Sequence, residues 1–134
     1  MKLEHIAIWT FQLEKLKDFY VRFFGGEAGN IYHNPQKNFY SYFICFEGGA
    51  RLELMSRPDI SISQNQPGYL FTGLTHFAFE VESRERVKTL TQELAEAGYE
   101  VIGKPRVTGD GYYESVILDP DQNQVEITFP VEKS

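Results

Sequence analysis

Cysteine is nearly absent from this sequence: Cys45 is the single thiol in 134 residues, so no disulfide can form within the chain. That usage is typical of a reducing compartment, and we expect a cytoplasmic protein. Long apolar runs are also missing, since none approaches the roughly 18 to 20 residues that span a bilayer. Glu4 and His5 interrupt the stretch in which a signal peptide would need apolar residues. We therefore expect no membrane partner.

Positive charge is scarce as well. The 13 Lys and Arg residues face 19 Asp and Glu residues, which gives a net charge of -6. Such a chain has no field that would attract phosphate backbones or anionic lipid, so we expect no nucleic acid partner. Apolar residues at 42% and charged residues at 24% are values of a globular domain. Aromatic residues, at 15%, suit both a core and a lined pocket.

The pattern of strands and helix occurs twice, and each half is predicted to be βαβββ. The first half has a strand over 3–9, a helix that Thr10 caps and Gly25-Gly26 ends, and strands over 29–33, 38–47 and 50–56 with a two-residue turn at Gly48-Gly49. The second half has a strand over 73–81, a helix that Ser83 caps and Gly98 ends, and strands over 99–102, 112–118 and 124–129.

Matched residues of the two halves keep a nearly constant separation. His5 and His76 are 71 positions apart, Gly26 and Gly98 are 72 apart, and Glu53 and Glu126 are 73 apart. Constant separations over a whole chain indicate an internal repeat. We expect a single domain over 1–134, made of modules 1–57 and 72–130 joined by a linker over 58–71.

Two histidines and two glutamates occupy these matched positions. His5 and His76 lie on the first strand of each module, and Glu53 and Glu126 lie between aliphatic residues on the last. If the aliphatic residues pack on the helices, all four polar groups point to the other face of the sheet. A single histidine or glutamate on a strand is usually structural, but four at equivalent positions favour a bound divalent metal, which would satisfy all of them.

Four segments carry a resemblance to a known family. LEHIAIWT, ARLELM, LTHFAFEV and the terminal LDPDQNQVEIT resemble the glyoxalase I, bleomycin-resistance and extradiol-dioxygenase superfamily, also called vicinal oxygen chelate. Gln122 stands where the family usually has a turn glycine, which affects turn geometry. The resemblance implies an α+β fold in which two tandem βαβββ modules form half-barrel sheets around a metal cleft.

The set His5, Glu53, His76 and Glu126 resembles the metal site of the glyoxalase I branch. This implies a metal-dependent lyase or isomerase, similar to a lactoylglutathione lyase, that acts through a metal-stabilised enediolate. The metal would be Zn, Ni, Co, Mn or Fe, and a low-molecular-weight thiol would be a possible co-substrate. Glu126 is our first candidate for the catalytic base and Glu53 the second. The alternatives are a drug-binding resistance protein, which would lack the ligands, and an extradiol dioxygenase, which would use two His and one Glu.

Substrate contacts are less strongly indicated. Trp9 stands where glutathione-dependent relatives carry an arginine, Arg57 follows the Glu53 strand, and Tyr113 follows a glycine-rich entry to a strand. Packing, solvent exposure and ordinary hairpin structure are the respective alternatives. We interpret His33 as a surface residue and Cys45 as a small buried hydrophobe. Family resemblance also implies a homodimer, in which the metal site is formed within one chain or shared between protomers.

Overall fold

Alternating apolar and polar residues form the strands of this chain, and two amphipathic segments form its helices. A computed structural model describes residues 1–64 and 66–131. The chain divides into two compact units, Met1–Ser63 and Gln64–Ser134. Within the described ranges, no helix is long and apolar enough to cross a membrane.

The first unit places one helix on one face of a mixed sheet. Its elements are β1 (His5–Trp9), α1 (Leu13–Phe24), β2 (Glu27–Ala28), β3 (Tyr32–Asn34), β4 (Phe39–Cys45) and β5 (Arg51–Ser56). The strand order is β1-β5-β4-β2, and β3 also pairs with β4. β1 runs parallel to β5, while the other pairs are antiparallel. The apolar face of α1 and the alternate residues of β4 and β5 form the buried core: Leu16, Phe19, Tyr20, Phe23, Ile44, Leu52 and Leu54.

The second unit follows the same plan. It contains β6 (His76–Glu80), α2 (Arg84–Glu96), β7 (Val101–Val107), β8 (Tyr112–Leu118) and β9 (Gln124–Pro130), with strand order β6-β9-β8-β7. β6 runs parallel to β9, as β1 does to β5. Its core consists of Val87, Leu90, Leu94, Tyr113, Ile117, Leu118, Val125 and Ile127. The predicted α+β class with two βαβββ units is confirmed, except that β2 and β3 together stand where one strand was predicted.

The ends of the helices confirm two of the predicted signals and correct a third. Ser83 caps α2, because its hydroxyl accepts the Arg86 N–H at 3.0 Å. Gly25 ends α1 in the left-handed region at φ 67°, which glycine adopts without strain. Thr10 does not cap α1: its backbone N–H continues the pairing of β1 by donating to the Met55 carbonyl at 2.8 Å, and the helix begins only at Leu13.

Three predicted strand boundaries were wrong. The segment 29–33 is not one strand, since only Tyr32–Asn34 pairs there and Glu27–Ala28 forms a separate strand. Gly48-Gly49 does not form a two-residue turn, because the last pair between β4 and β5 is Ile44 with Leu52, which leaves a longer loop.

The strand predicted over 99–102 instead runs from Val101 to Val107 and passes through Pro105. Register shifts interrupt the pairing of β7 with β8 between Val101 and Gly103 and between Gly103 and Arg106. β7 is also the last strand in its sheet's order. A proline is tolerated at such an edge and at such irregularities because no ladder hydrogen bond from its nitrogen is needed.

Candidate functional site: one histidine and one carboxylate in each unit

Strand alternation leaves one face of each sheet without a helix. In β1, His5, Ala7 and Trp9 are exposed, whereas Ile6 and Ile8 are half-buried on the helix side. β6 has the same alternation, with His76, Ala78 and Glu80 exposed. We call the faces that carry His5 and His76 the open faces.

The open face of the first unit brings His5 and Glu53 together. The register pairs Ala7 with Glu53, so the histidine lies two residues before the position opposite the carboxylate. His5 Nε2 is 3.6 Å from Glu53 Oε1, and the two side chains are 41% and 17% exposed. The Phe43 ring, on the strand beside Glu53, meets the His5 ring edge-on at 5.5 Å between centroids.

The open face of the second unit brings His76 and Glu126 together in the same register, with Ala78 opposite Glu126. His76 Nε2 is 3.2 Å from Glu126 Oε2, and the Glu126 side chain is 20% exposed. The two units therefore hold a histidine and a carboxylate at equivalent positions. We call these pairs the half-sites.

Sequence reasoning missed Glu114, a carboxylate that belongs to the surroundings of the second half-site. It is 7% exposed and lies on β8 opposite Thr128, two positions from Val116, which pairs with Glu126. Burial, followed by the hydrogen bond and charge of Glu114, raises the pKa of Glu126 to about 7. The sequence does contain a signal for this residue. The alternation of side chains in the β8 segment YYESVIL puts Glu114 on the same face as Val116, the residue that pairs with Glu126.

The half-sites are compatible with a divalent metal. Bonds of about 2.0 to 2.2 Å to an imidazole nitrogen and a carboxylate oxygen put two ligand atoms on one metal about 3.0 to 3.5 Å apart. The donor separations of 3.6 and 3.2 Å are close to that range. Over residues 1–64 and 66–131, no group of three or more His, Cys, Asp or Glu side chains is assembled that could hold a metal. Each unit by itself thus brings one histidine and one carboxylate together.

The three predicted substrate contacts lie in different surroundings. Trp9 is on the open face, 47% exposed, with its ring edge-on to Phe39 at 6.0 Å between centroids. Arg57 lies after β5 and forms two hydrogen bonds of 2.8 Å with the Asp59 carboxylate. Tyr113 is 7% exposed, and Arg84 of α2 lies 4.5 Å from its ring centroid, so this side chain packs on the helix side of its sheet.

Two other sequence interpretations can be compared with the structure. His33 is exposed, as expected, and stacks on Tyr40 with ring centroids 4.1 Å apart. Cys45 is exposed rather than buried. It is the last residue of β4, on the side of the strand that alternates with the buried Ile44, so its neighbours in the sequence misled the interpretation.

The raised pKa of Glu126 predicts how the stability of the metal-free protein depends on pH. A carboxyl whose pKa rises from 4.5 to about 7 on folding favours the folded state in its neutral form. That contribution is fully present below the unfolded value and is lost as the pH rises through about 7. In urea denaturation after chelator treatment, wild type should therefore lose stability relative to Glu126→Gln between about pH 5 and 8. Parallel pH curves for the two proteins would contradict this prediction, and Glu85→Gln on α2 is the control.

Comparison with known proteins agrees with this architecture. The YwkD protein of Bacillus subtilis (strain 168), described as uncharacterized, is 32% identical over 127 residues, covering 93% of this chain and 94% of YwkD. A glyoxalase family protein from Enterococcus faecalis has a crystal structure that matches with 28% identity and a TM-score of 0.69, covering 96% of this chain and 95% of that one. Leishmania major glyoxalase I matches with a TM-score of 0.74 at 18% identity, covering 95% and 85%, which shows a shared fold.

The family model that matches describes the Glyoxalase/Bleomycin resistance protein/Dioxygenase superfamily, and the match extends over residues 2–127. This range contains both half-sites and every helix of the described residues. The family resemblance read from the four sequence segments is thus confirmed. The chain belongs to the Glyoxalase/Bleomycin resistance protein/Dioxygenase superfamily.

Proposed function

We propose that this protein is a metal-dependent lyase or isomerase of the glyoxalase I type, with one divalent metal held by His5, Glu53, His76 and Glu126. The observation that carries the proposal is the pair of half-sites. In each unit an imidazole nitrogen and a carboxylate oxygen lie within 3.6 Å of each other, at the same register of two parallel strands. A binding protein without a metal has no need of four such groups in duplicate positions.

Proton transfer is the chemistry that these residues can perform. His5, Glu53, His76 and Glu126 would hold Zn, Ni, Co, Mn or Fe, which would supply Lewis-acid polarisation of neighbouring oxygens of a hemithioacetal made from a 2-oxoaldehyde and a thiol. Glu126 is the proposed base, which takes the proton from one carbon and returns it to the next. In the metal-free protein, burial and the neighbouring Glu114 raise its pKa to about 7, so this carboxylate takes up a proton more readily than an ordinary glutamate. Glu53 is the second candidate for this role.

Elemental analysis tests the metal site directly. The protein is purified without chelator or affinity-tag metal, beside a His5→Ala, Glu126→Ala double variant, and both are reconstituted with Zn, Ni, Co and Mn. We expect close to one metal per set of four ligands in wild type and its loss in the variant. A His33→Ala, Glu85→Ala double variant is the matched control, because it removes the same residue types outside the half-sites and should retain the metal.

Activity is then screened with 2-oxoaldehydes and several thiols. Glutathione alone is not enough for this screen, because Trp9 stands where an arginine would bind a glutathione carboxylate. Isomerisation that requires the metal supports the proposal. The proposal would be refuted if wild type contained no Fe as purified and bound none of the four metals after reconstitution.

A non-catalytic binding protein is the second candidate, and the rings on the first unit's open face favour it. Trp9 and Tyr32 both meet Phe39 edge-on, at 6.0 and 6.1 Å between ring centroids. Exposed rings and an acidic chain suit a cationic aromatic ligand. Binding of such compounds by metal-free protein, measured by quenching of Trp9 fluorescence, would favour this function. An extradiol dioxygenase is disfavoured because it normally has three ligands.

We also propose that the protein acts as a cytoplasmic homodimer. The family resemblance supports a dimer, and the single cysteine supports a reducing compartment. Light scattering of the purified protein would measure the mass of the particle, for which one chain contributes 15.5 kDa. A monomer at micromolar concentration would contradict this proposal.

A further inference from the structure

Arg51 and Glu4 form a two-point ion pair beside the first half-site. Arg51 Nε donates to Glu4 Oε2 at 2.7 Å, and Arg51 Nη2 donates to Glu4 Oε1 at 2.5 Å. The Arg51 backbone N–H also donates to the Glu4 carbonyl at 2.8 Å. The parallel pairing of β1 and β5 puts Arg51 directly opposite His5. Arg51 therefore holds Glu4 at two places, its backbone carbonyl and its side-chain carboxylate.

The Phe43 ring packs against the guanidinium of Arg51 in this ion pair. The Arg51 guanidinium carbon lies 4.0 Å from the centroid of the ring, and the same ring meets His5 edge-on. A guanidinium over an aromatic face is attracted by the ring and loses little freedom when it binds a planar carboxylate. One aromatic side chain thus orients both the arginine and the histidine.

The Glu4 carboxylate also contacts His5, at the ring nitrogen that faces away from Glu53. Glu4 Oε1 lies 3.3 Å from His5 Nδ1, whereas His5 Nε2 faces Glu53 at 3.6 Å. A carboxylate can only accept at Nδ1, so the contact favours the tautomer with its proton on Nδ1. That tautomer leaves the lone pair of Nε2 on the Glu53 side, where a metal ion would need it.

The second unit lacks the residues for this arrangement. Thr75 precedes His76, where Glu4 precedes His5, and Gln124 pairs with His76, where Arg51 pairs with His5. Neither threonine nor glutamine carries a charge. The two half-sites therefore differ in their supporting residues, although their ligand pairs are equivalent.

We propose that Glu4, held by Arg51 and Phe43, is a positioning residue that fixes the tautomer and orientation of His5 for metal binding. The proposal rests on the function proposed above, in which His5 is a ligand. Carboxylates that accept from the second nitrogen of a ligand histidine raise its basicity and fix its ring, and their loss typically weakens metal binding 10- to 100-fold.

The first test measures the tautomer of His5 in metal-free protein by long-range ¹H–¹⁵N correlation, well above pH ~6.5, where an imidazole is neutral. In wild type we expect the Nδ1-protonated form. Glu4→Ala and Arg51→Gln should shift His5 to a mixture of the two tautomers. Thr75→Ala is the matched control, because it changes the equivalent position before His76 and should leave the His5 spectrum unchanged.

The second test measures Zn²⁺ affinity by competition with a chromophoric chelator. Glu4→Ala should weaken binding about 10- to 100-fold, and Thr75→Ala should leave it unchanged. The side chains of the ion pair are exposed, at 38% for Arg51 and 47% for Glu4. Exposed ion pairs contribute little to stability, so Glu4→Ala and Arg51→Gln should both remain folded. Thermal denaturation of the metal-free variants checks this.

The two tests separate the failure of this inference from the failure of the proposed function. An unchanged His5 tautomer in Glu4→Ala would overturn the inference, whether or not the wild type binds metal. Equal losses of Zn²⁺ affinity in Glu4→Ala and Thr75→Ala would also overturn it, because the effect would not depend on the carboxylate. Absence of Zn²⁺ binding in wild type would refute the proposed function, and the tautomer measurement would still report on Glu4.

Discussion

Replacing Glu126 with glutamine is expected to lower kcat for the proposed isomerisation by about 10²- to 10⁴-fold, the usual contribution of a general base. Glutamine keeps the shape of the side chain and an oxygen that can bind a metal, but it cannot accept the proton. Glu126 is favoured over Glu53 because burial, followed by the hydrogen bond and charge of the buried Glu114 carboxyl, raises its pKa to about 7 in the metal-free protein.

The measurement needs a metal analysis beside the kinetics, because Glu126 is also a proposed ligand. Turnover is expressed per bound metal, and incorporation of solvent deuterium into the product reports the proton transfer itself. Glu85→Gln on the first turn of α2 is the matched control and should behave as wild type. Should Glu126→Gln keep more than about a tenth of the wild-type kcat per metal, Glu126 would not be the base, and Glu53→Gln would become the variant to test.

Truncating one fully buried aliphatic side chain to alanine on an interior strand of either sheet should lower the free energy of unfolding by about 2 to 5 kcal/mol. Leu54 on β5 and Ile127 on β9 occupy equivalent positions, 73 residues apart, and both are 0% exposed. Each lies between a parallel and an antiparallel neighbour strand. Alanine at either site leaves a cavity that two strands and a helix would have to close.

Guanidinium denaturation of Leu54→Ala and Ile127→Ala would provide the two free energies of unfolding. The control is Leu70→Ala, since Leu70 is 97% exposed and its truncation should change stability by less than about 0.5 kcal/mol. Losses below about 1 kcal/mol for both buried sites would show that the observed packing is not the stabilising core.

Sequence patterns predicted the fold well where one physical cause dominates. Alternation of apolar and polar residues located β1, β5, β6 and β9 and assigned each side chain to the correct face. Ser83 and Gly25 were recognised because a hydroxyl cap and a left-handed glycine act within a few residues. The pairing of the first strand with the last in each unit was not predicted, since the residues of one strand do not specify a distant partner.

Features that depend on tertiary contacts were missed. The predicted strand stopped at residue 102, yet β7 continues through Gly103 and Pro105 because an edge strand tolerates both residues at a bulge. Glu4 was read only as an interruption of an apolar stretch, because its contact with Arg51 crosses 47 positions of sequence. Gln122, expected to alter a turn, takes the positive φ of 70° that glycine adopts most easily.

The parallel pairing of β1 with β5 and of β6 with β9 has a consequence for how this chain folds. The first strand of each unit can form its backbone hydrogen bonds only after the last strand exists, because its paired residues lie 46 positions later in the first unit and 48 later in the second. Closing such long loops costs entropy before any contact is gained, and folds rich in them fold slowly. During synthesis, β1 therefore stays unpaired until β5 has left the ribosome, and β6 does so until β9 has. In pulsed hydrogen exchange, the amides of β1 should consequently gain protection no earlier than those of β5, and the amides of β6 no earlier than those of β9.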